Sequence, residues 1–356
     1  MDTARTNAIA VLALTRGGAR LAGRLGHLLP DQVHLYLPRR LCEGELPGQA
    51  FPFDRWQQAA GKVFAGYRRI LFIMASGIVV RTLAPLLDSK QTDPAVVVLD
   101  EKGRFAISLL SGHLGGANEL ARQIAEVLGA MPVITTATDV NDAPALDLLA
   151  RELACRIYPP SEIKRFNRFL VEGEQVILYS RWALSPEYRA GFTYIDRQED
   201  IPLGHPVVYI TNRIVPLGPQ PRLLLRPRNL VVGVGCRRGV KADQIIGAIK
   251  AVFKGEKLSL LSLQALATVD VKMKEPGLLQ AAEYFKVPLV EVGREQIEAL
   301  SGQFAPSDFV KQSIGVGGVC EPAAMTASGQ GKIIIPKQKM GPVTVAVAEA
   351  GLQWWG

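Results

Sequence analysis

Residues 108–120, Ser-Leu-Leu-Ser-Gly-His-Leu-Gly-Gly-Ala-Asn-Glu-Leu, set His113 among Ser111, Gly112, Gly115, Gly116 and Asn118, with Glu119 close behind. Imidazole titrates near neutrality and can move a proton in either direction. Glycines let a ligand approach the backbone, and the free N–H groups of a helix start attract anions. This grouping suits a proton shuttle beside an anion-accepting helix start. It suits as well a Gly-rich turn whose histidine satisfies a local hydrogen bond, and spacing alone leaves both readings open. A Ser111 nucleophile would lack the G-x-S-x-G elbow. The other histidines, His27, His34 and His205, have plain apolar or proline neighbours and read as structural.

Other segments could meet an anion. Ser76 and Gly77 follow an apolar strand over 69–75 and open a helical pattern that contains Arg81. Arg237 and Arg238 lie in a loop over 235–239, before a helix with an apolar stripe of Ala242, Ile245, Ile246, Ile249, Val252 and Phe253. They suit a carboxylate or phosphate clamp, or are a solvated surface pair. Residues 269–274 alternate strictly and read as a half-buried strand. Its charged face, Asp270, Lys272 and Lys274, is a site wall or an ordinary solvated edge. Gly315, Gly317 and Gly318 precede a short helix start that carries Glu321, a favourable dipole partner with or without a ligand.

The elements that must hold these residues are legible from periodicity. Strands are expected over 7–14, 33–37 and 69–75, with a helix over 19–29. Strands over 95–99 and 104–110 flank a polar turn and read as a hairpin. Leu120, Ile124, Val127 and Leu128 mark a helix after His113, and residues 133–136 a closing strand from which 137–139 lead out. Strands alternating with helices predict an α/β N-terminal domain with a largely parallel sheet. Ligands in such sheets sit at the carboxyl ends of strands, where Ser76, Ser111 and Thr136 all fall. The middle is less regular, with a helix over 145–155 and strands over 175–179 and 207–211. Pro216, Pro219, Pro221 and Pro227 read as a linker. A strand over 230–234 then opens a C-terminal α/β domain. The expected organisation is multi-domain α/β, with boundaries at 1–139, 140–228 and 229–356.

Composition narrows the partners. Lys plus Arg number 41 against 33 Asp plus Glu, a net charge of +8, which favours a polyanion. The basic residues are scattered and aromatics are only 7%, so nucleic acid is not expected. No apolar run approaches the roughly 18 residues of a membrane span, and 9–14 is too short for a signal-peptide core. Cys42, Cys155, Cys236 and Cys320 stand far apart without metal-ligand spacing, so a reduced cytoplasmic setting without structural zinc is expected. There is no dinucleotide or Walker fingerprint.

Several segments resemble the cobalt-precorrin-5A hydrolase family of anaerobic cobalamin biosynthesis. They are Ser76-Gly-Ile-Val-Val-Arg-Thr-Leu-Ala-Pro-Leu-Leu, Asp93-Pro-Ala-Val-Val-Val-Leu-Asp-Glu, the stretch around His113, and Thr135-Thr-Ala-Thr-Asp. Later come Gly233-Val-Gly-Cys-Arg-Arg-Gly, Val271-Lys-Met-Lys-Glu-Pro-Gly-Leu-Leu and Gly318-Val-Cys-Glu-Pro-Ala-Ala. The last third also resembles stand-alone proteins of the aerobic pathway. The resemblance implies opening of a δ-lactone on a cobalt-bound contracted macrocycle, then loss of acetaldehyde to give cobalt-precorrin-5B. Such a substrate bears many carboxylates. No cofactor is implied, because cobalt arrives inside the substrate.

For that chemistry His113 is expected as base, Glu119 as its orienting partner, and the amides near Gly115 and Gly116 as oxyanion donors. Substrate contacts are expected from Ser76, Gly77, Arg81, Ser111, Gly112, Asn118, Thr136, Arg237, Arg238, Lys272 and Glu321. Lys272 is also the fallback for a Schiff base in the retro-aldol step. Expected partners are the anionic cobalt-corrinoid precursor and, transiently, neighbouring pathway enzymes, with neither nucleic acid nor membrane. A non-catalytic protein that holds or hands over a tetrapyrrole would use the same anion sites without a base at 113. A nucleic-acid binder would instead show steeply salt-dependent affinity.

Overall fold

Continuous apolar runs need cover on both faces, and the first part of the chain supplies it. The computed structural model describes residues 5–42, 49–89, 92–113, 115–216, 218–304 and 318–352. Strands β1 (Thr6–Ala13), β2 (Val33–Pro38), β3 (Gln49–Phe53), β4 (Tyr67–Ile73), β5 (Ala95–Leu99), β6 (Phe105–Leu110) and β7 (Met131–Val133) form one sheet. Their order is β3-β2-β1-β4-β5-β6-β7. Helices α1 (Arg16–Leu28) and α4 (Ala117–Leu128) bury Leu21, Leu25, Leu120 and Ile124 on one face. On the other face, α2 (Trp56–Gly66) and α3 (Ser76–Leu83) bury Val63, Phe64, Val79 and Leu83. Thr15 caps α1 by accepting a hydrogen bond from the Gly18 N–H at 3.1 Å.

Strands β1 to β5 run parallel. The short turn at 100–103 returns the chain at once, so β6 runs antiparallel to β5, and β7 follows β6. The end of β6 therefore emerges at the edge where β4 and β5 begin, and Ser111 Oγ donates to the Asp93 carbonyl at 3.0 Å. Ser76, after β4, lies at the opposite edge. Ser111 and Thr136 thus do not share an edge with Ser76, contrary to the expectation of one common ligand side. The strand expected over 133–136 ends at Val133, and 137–139 fold into a short helix, α5 (Ala137–Val140), rather than leading away.

The chain divides into two compact units, 1–148 and 149–356. Helix α6 (Leu146–Glu152) is shorter than the expected 145–155, because Cys155 already belongs to a strand. In the second unit, β8 (Cys155–Tyr158), β9 (Ile177–Ser180), β10 (Thr193–Ile195), β11 (Val207–Ile210) and β12 (Arg222–Pro227) form a sheet ordered β10-β9-β11-β12-β8. Helices α7 (Ile163–Val171) and α8 (Pro186–Arg189) accompany it. The stretch expected as a proline linker thus contains a strand inside the sheet. Pro227 closes that strand, paired opposite Cys155 of β8.

A second five-stranded sheet holds β13 (Leu230–Cys236), β14 (Leu263–Val269), β15 (Leu289–Val292), β16 (Lys332–Met340) and β17 (Val343–Glu349), ordered β15-β14-β13-β17-β16. Helices α9 (Ala242–Gly255) and α10 (Pro276–Phe285) pack Ile245, Ile249, Leu278 and Ala281 on one face, and Ala323 of α12 (Cys320–Ala327) packs on the other. Between β15 and α12 lies α11 (Arg294–Ser301). A buried amide ties the two sheets together. Asn212, after β11, donates through Nδ2 to Asn229 Oδ1 at 3.2 Å and to Glu349 Oε1, while its Oδ1 accepts from Arg181 Nη1 at 2.9 Å.

The strand expected over 269–274 stops at Val269. Residues 270–272 form a 3₁₀ turn that leads into α10, whose first residue is Pro276, and Val271 is 44% exposed rather than buried. Alternation loses here because local turn bonds, Met273 N–H to the Asp270 carbonyl and Glu275 N–H to the Lys272 carbonyl, both at 3.1 Å, close the chain instead. Glu275 accepts from the Gly239 N–H and pairs with Lys272 Nζ at 3.3 Å. The Gly239 N–H, more than the opposing burial, holds the Glu275 carboxyl below its ordinary range, with help from Lys272 and Arg238. Among the described residues no helix is long and apolar enough to cross a membrane.

Two outcomes test these tertiary ties. Asn212→Ala strips Glu349 and Asn229 of a shared partner and should cost the second unit about 1–3 kcal/mol, read as a lower urea midpoint. Glu275 has a lowered folded-state pKa, so the stability it lends is complete above the ordinary value of 4.5 and drains away as pH falls below it. Wild type should therefore exceed Glu275→Gln in stability at pH 7, and the gap should close in acid. A gap independent of pH would contradict this.

Candidate active site

Ser111, Gly112, His113, Gly115 and Gly116 make backbone turns that fold back on one another before α4 begins. Ser111 takes a φ of 57°, a left-handed conformation that costs an ordinary residue about 1–2 kcal/mol. Its carbonyl accepts from the Ala117 N–H at 3.1 Å, the Gly112 carbonyl from Asn118 N–H at 3.0 Å, and the His113 carbonyl from Gly116 N–H at 3.0 Å. The first amides of α4 are therefore engaged by the loop itself. This corrects the expectation of an open anion seat there, and of Gly116 as an oxyanion donor. Gly112 and Gly115 are needed for close approach: a Cβ at 115 would stand 2.3 Å from the Ser111 Cβ, and one at 112 would stand 2.8 Å from Asn118 Oδ1.

What the fold gathers around His113 comes mostly from α4 and α5. His113 Nε2 lies 2.6 Å from Thr138 Oγ1 and 3.1 Å from Asp139 Oδ2. The His113 and Asp139 side chains are only 17% and 14% exposed. Asn118, 3% exposed, is the hub of the cluster. Its Nδ2 donates to Thr136 Oγ1 and to Asp139 Oδ2, both at 2.9 Å, and its Oδ1 accepts from Ser108 Oγ at 2.6 Å. Arg122 Nη2 donates to Asp139 Oδ1 at 2.6 Å. Asn118 and Arg122 are four residues apart, so one face of α4 carries both toward Asp139.

His113 Nε2 thus stands between the Thr138 hydroxyl and the Asp139 carboxylate, which together fix the orientation of the ring. An imidazole oriented by a buried acid in this way is a general-base arrangement. Glu119 does not supply that acid. Its side chain is 80% exposed and faces Arg122 at 3.8 Å, because its position on α4 points it to solvent. Thr138, Asp139 and Arg122 are thus the residues that sequence reasoning missed. The available signal was a polar run, Thr135-Thr-Ala-Thr-Asp, placed just past a strand.

Other expected site residues lie elsewhere. Ser76, Gly77 and Arg81 are exposed at the far edge of the same sheet, a five-residue strand or roughly 17 Å from the His113 edge. Arg81 Nη1 donates to the Gly77 carbonyl at 3.2 Å. Arg237, Arg238, Lys272 and Glu321 belong to the second unit. There the chain's own Glu275 takes the Gly239 amide and the Lys272 ammonium, the place expected for a ligand carboxylate. Glu321 Oε1 accepts from the Lys337 N–H at 3.1 Å, tying α12 to β16. Gly315 and Gly317 lie outside the described residues. Among the described residues, no three His, Cys, Asp or Glu side chains gather as a metal site.

Comparison with known proteins agrees along the whole chain. Family models match in succession: Cobalamin synthesis G N-terminal over 58–139, Cobalamin biosynthesis central region over 144–227, and Cobalamin synthesis G C-terminus over 230–348. The chain is 38% identical to the cobalt-precorrin-5A hydrolase of Salmonella typhimurium, covering 98% of this chain and 100% of that one. It is 34% identical to the cobalt-precorrin-5A hydrolase of Priestia megaterium, over 95% and 94% of the two chains. Protein CobE of a Sinorhizobium species is 31% identical over 34% of this chain and 79% of its own. Identity of this degree over both full lengths means that the chain belongs to the cobalt-precorrin-5A hydrolase family.

Proposed function

We propose that this chain opens the δ-lactone of cobalt-precorrin-5A and releases acetaldehyde, giving cobalt-precorrin-5B. The observation that carries the reading is 38% identity, end to end, with the Salmonella typhimurium enzyme of that name. His113 acts as base. Asp139 and Thr138 orient the imidazole, which takes a proton from water as the water oxygen adds to the lactone carbonyl. With the Gly116 N–H bonded to the His113 carbonyl, the loop's oxyanion donor is the Gly115 amide. Collapse of the tetrahedral intermediate expels the ring oxygen, which leaves as a hydroxyl with the proton returned by His113.

In the second stage the hydroxyl loses its proton, its carbon–oxygen bond becomes the carbonyl of acetaldehyde, and the broken C–C pair enters the macrocycle. Electrons balance without an external oxidant or reductant, so no redox cofactor takes part, and cobalt is carried by the substrate. The macrocycle is the electron sink, so Lys272 need not form a Schiff base. In this reading the chain works in the cytoplasm on an anionic cobalt-corrinoid precursor and meets neighbouring pathway enzymes transiently. Neither nucleic acid nor membrane is a partner.

Purified protein supplied with cobalt-precorrin-5A should release acetaldehyde in equal amount to ring-opened product, without NAD, flavin or added metal. Binding without turnover, or a strict need for any of these, would overturn the reading. His113→Asn should lower kcat on the order of 10²–10⁴-fold with little change in KM, since a base acts chiefly in the transition state. Asp139→Asn should also lower kcat, whereas Glu119→Gln should not. Wild-type turnover in His113→Asn would make the histidine a turn residue.

A further inference from the structure

The first sheet reverses its winding at β1: β2 and β3 lie on one side, β4 and β5 on the other. Such a reversal leaves a crevice at the carboxyl ends of the strands. Two cavities open there side by side, at the edge opposite His113. One, of about 360 Å³, is walled by Leu14, Ile73, Met74, Ile78, Val98 and Ile107, with Ser76 also lining it. The other, of about 780 Å³, is lined by Arg20 and Arg24 of α1 and by Lys102 and Arg104 of the β5–β6 turn. Asp100 and Glu101 border both.

The cations are brought together by the fold. Gly103, with a φ of 67°, seats the turn on α1 so closely that a Cβ would stand 3.0 Å from Leu21 Cδ2. That contact sets Lys102 and Arg104 beside Arg20 and Arg24, which are one helical turn apart and repel each other. The two carboxylates are already engaged. Asp100 Oδ1 accepts from the Arg104 and Phe105 N–H groups at 2.6 and 2.8 Å, and Arg104 Nε lies 3.5 Å from Asp100 Oδ2. Glu101 Oε1 accepts from Thr15 Oγ1 at 2.8 Å. Among the described residues, Arg20, Arg24 and Lys102 enter no ion pair.

We propose that this paired cleft is a binding site for a flat amphipathic polycarboxylate, with the ring edge in the apolar chamber and the carboxylates on Arg20, Arg24, Lys102 and Arg104. Only the identification of that ligand with a corrinoid intermediate rests on the proposed hydrolase function. The cleft lies a strand length from His113, so it is a second seat for the macrocycle, which holds it before or after lactone opening.

The test titrates full-length protein with uroporphyrin III, a tetrapyrrole with carboxylates on every ring and no lactone, following porphyrin fluorescence. The triple variant Arg20→Ala, Arg24→Ala, Lys102→Ala changes only exposed side chains and should keep the fold. It should bind the probe about tenfold or more weakly and lose most of the salt dependence. His113→Asn, and the control Arg39→Ala, should bind as wild type does. Unchanged affinity and salt response in the triple variant, or no binding by wild type, would overturn the cleft. Acetaldehyde assays on the same proteins separate the two proposals. Probe binding lost in the triple variant, in a wild type that never converts cobalt-precorrin-5A, would sink the hydrolase reading and leave the cleft standing. Normal turnover with unchanged probe binding in the triple variant would do the reverse.

Discussion

The direction of one strand decides which chemical groups can meet. Because 100–103 turn the chain tightly, β6 runs back along β5 and delivers His113 to the edge where β4 and β5 begin. Had this connection been a crossover, the His113 loop would emerge beside Ser76, and one crevice would hold every candidate in the unit. The reversal separates them instead. One edge carries an oriented imidazole in a nearly closed polar cluster. The other carries an open, cationic, partly apolar cleft. Specific proton transfer benefits from the first environment and capture of a charged macrocycle from the second.

Each unit relies on a buried asparagine to join segments that are distant in sequence. Asn118 connects Ser108, Thr136 and Asp139, and Asn212 connects Arg181, Asn229 and Glu349. An amide suits the task because it donates and accepts at once, so it can serve a carboxylate on one side and a hydroxyl or guanidinium on the other. The same low dielectric that strengthens these bonds penalises the loss of any one partner. In the first unit the result is orientation: Asp139 is held by both Asn118 and Arg122, and His113 takes its position from Asp139 and Thr138. In the second unit the result is cohesion, since Asn212 follows β11 of one sheet while Asn229 and Glu349 bracket strands of the other.

Basic composition alone pointed to a polyanion, and the tertiary structure sorts the charges that produced it. Arg122 neutralises Asp139, Lys272 and Arg238 act on Glu275, and Arg69 pairs with Asp31 at 2.9 Å. These cations serve the protein itself. Arg20, Arg24 and Lys102 enter no ion pair among the described residues, so their charge at the cleft is left for a ligand to meet.

Much was determined by the sequence itself. Apolar runs located β1, β4, β5 and β13, the 3.6-residue stripe located α4 and α9, and the polar turn announced the β5–β6 hairpin, because these signals report burial and burial is read from residue type. The stretches quoted around His113 and in the last third carried the family resemblance, which whole-chain identity bears out. Tertiary structure decided the partners. Glu119 neighbours His113 in sequence yet points to solvent, whereas Thr138 and Asp139, 25 and 26 residues further on, touch it. Alternation at 269–274 gave way to turn bonds before Pro276, and a proline-marked stretch became an interior strand because residues 222–227 pair with β11 on one side and β8 on the other. Side-chain contacts across a sheet edge depend on strand direction and on where a helix face points. Neither quantity is local, so no window of sequence contains it.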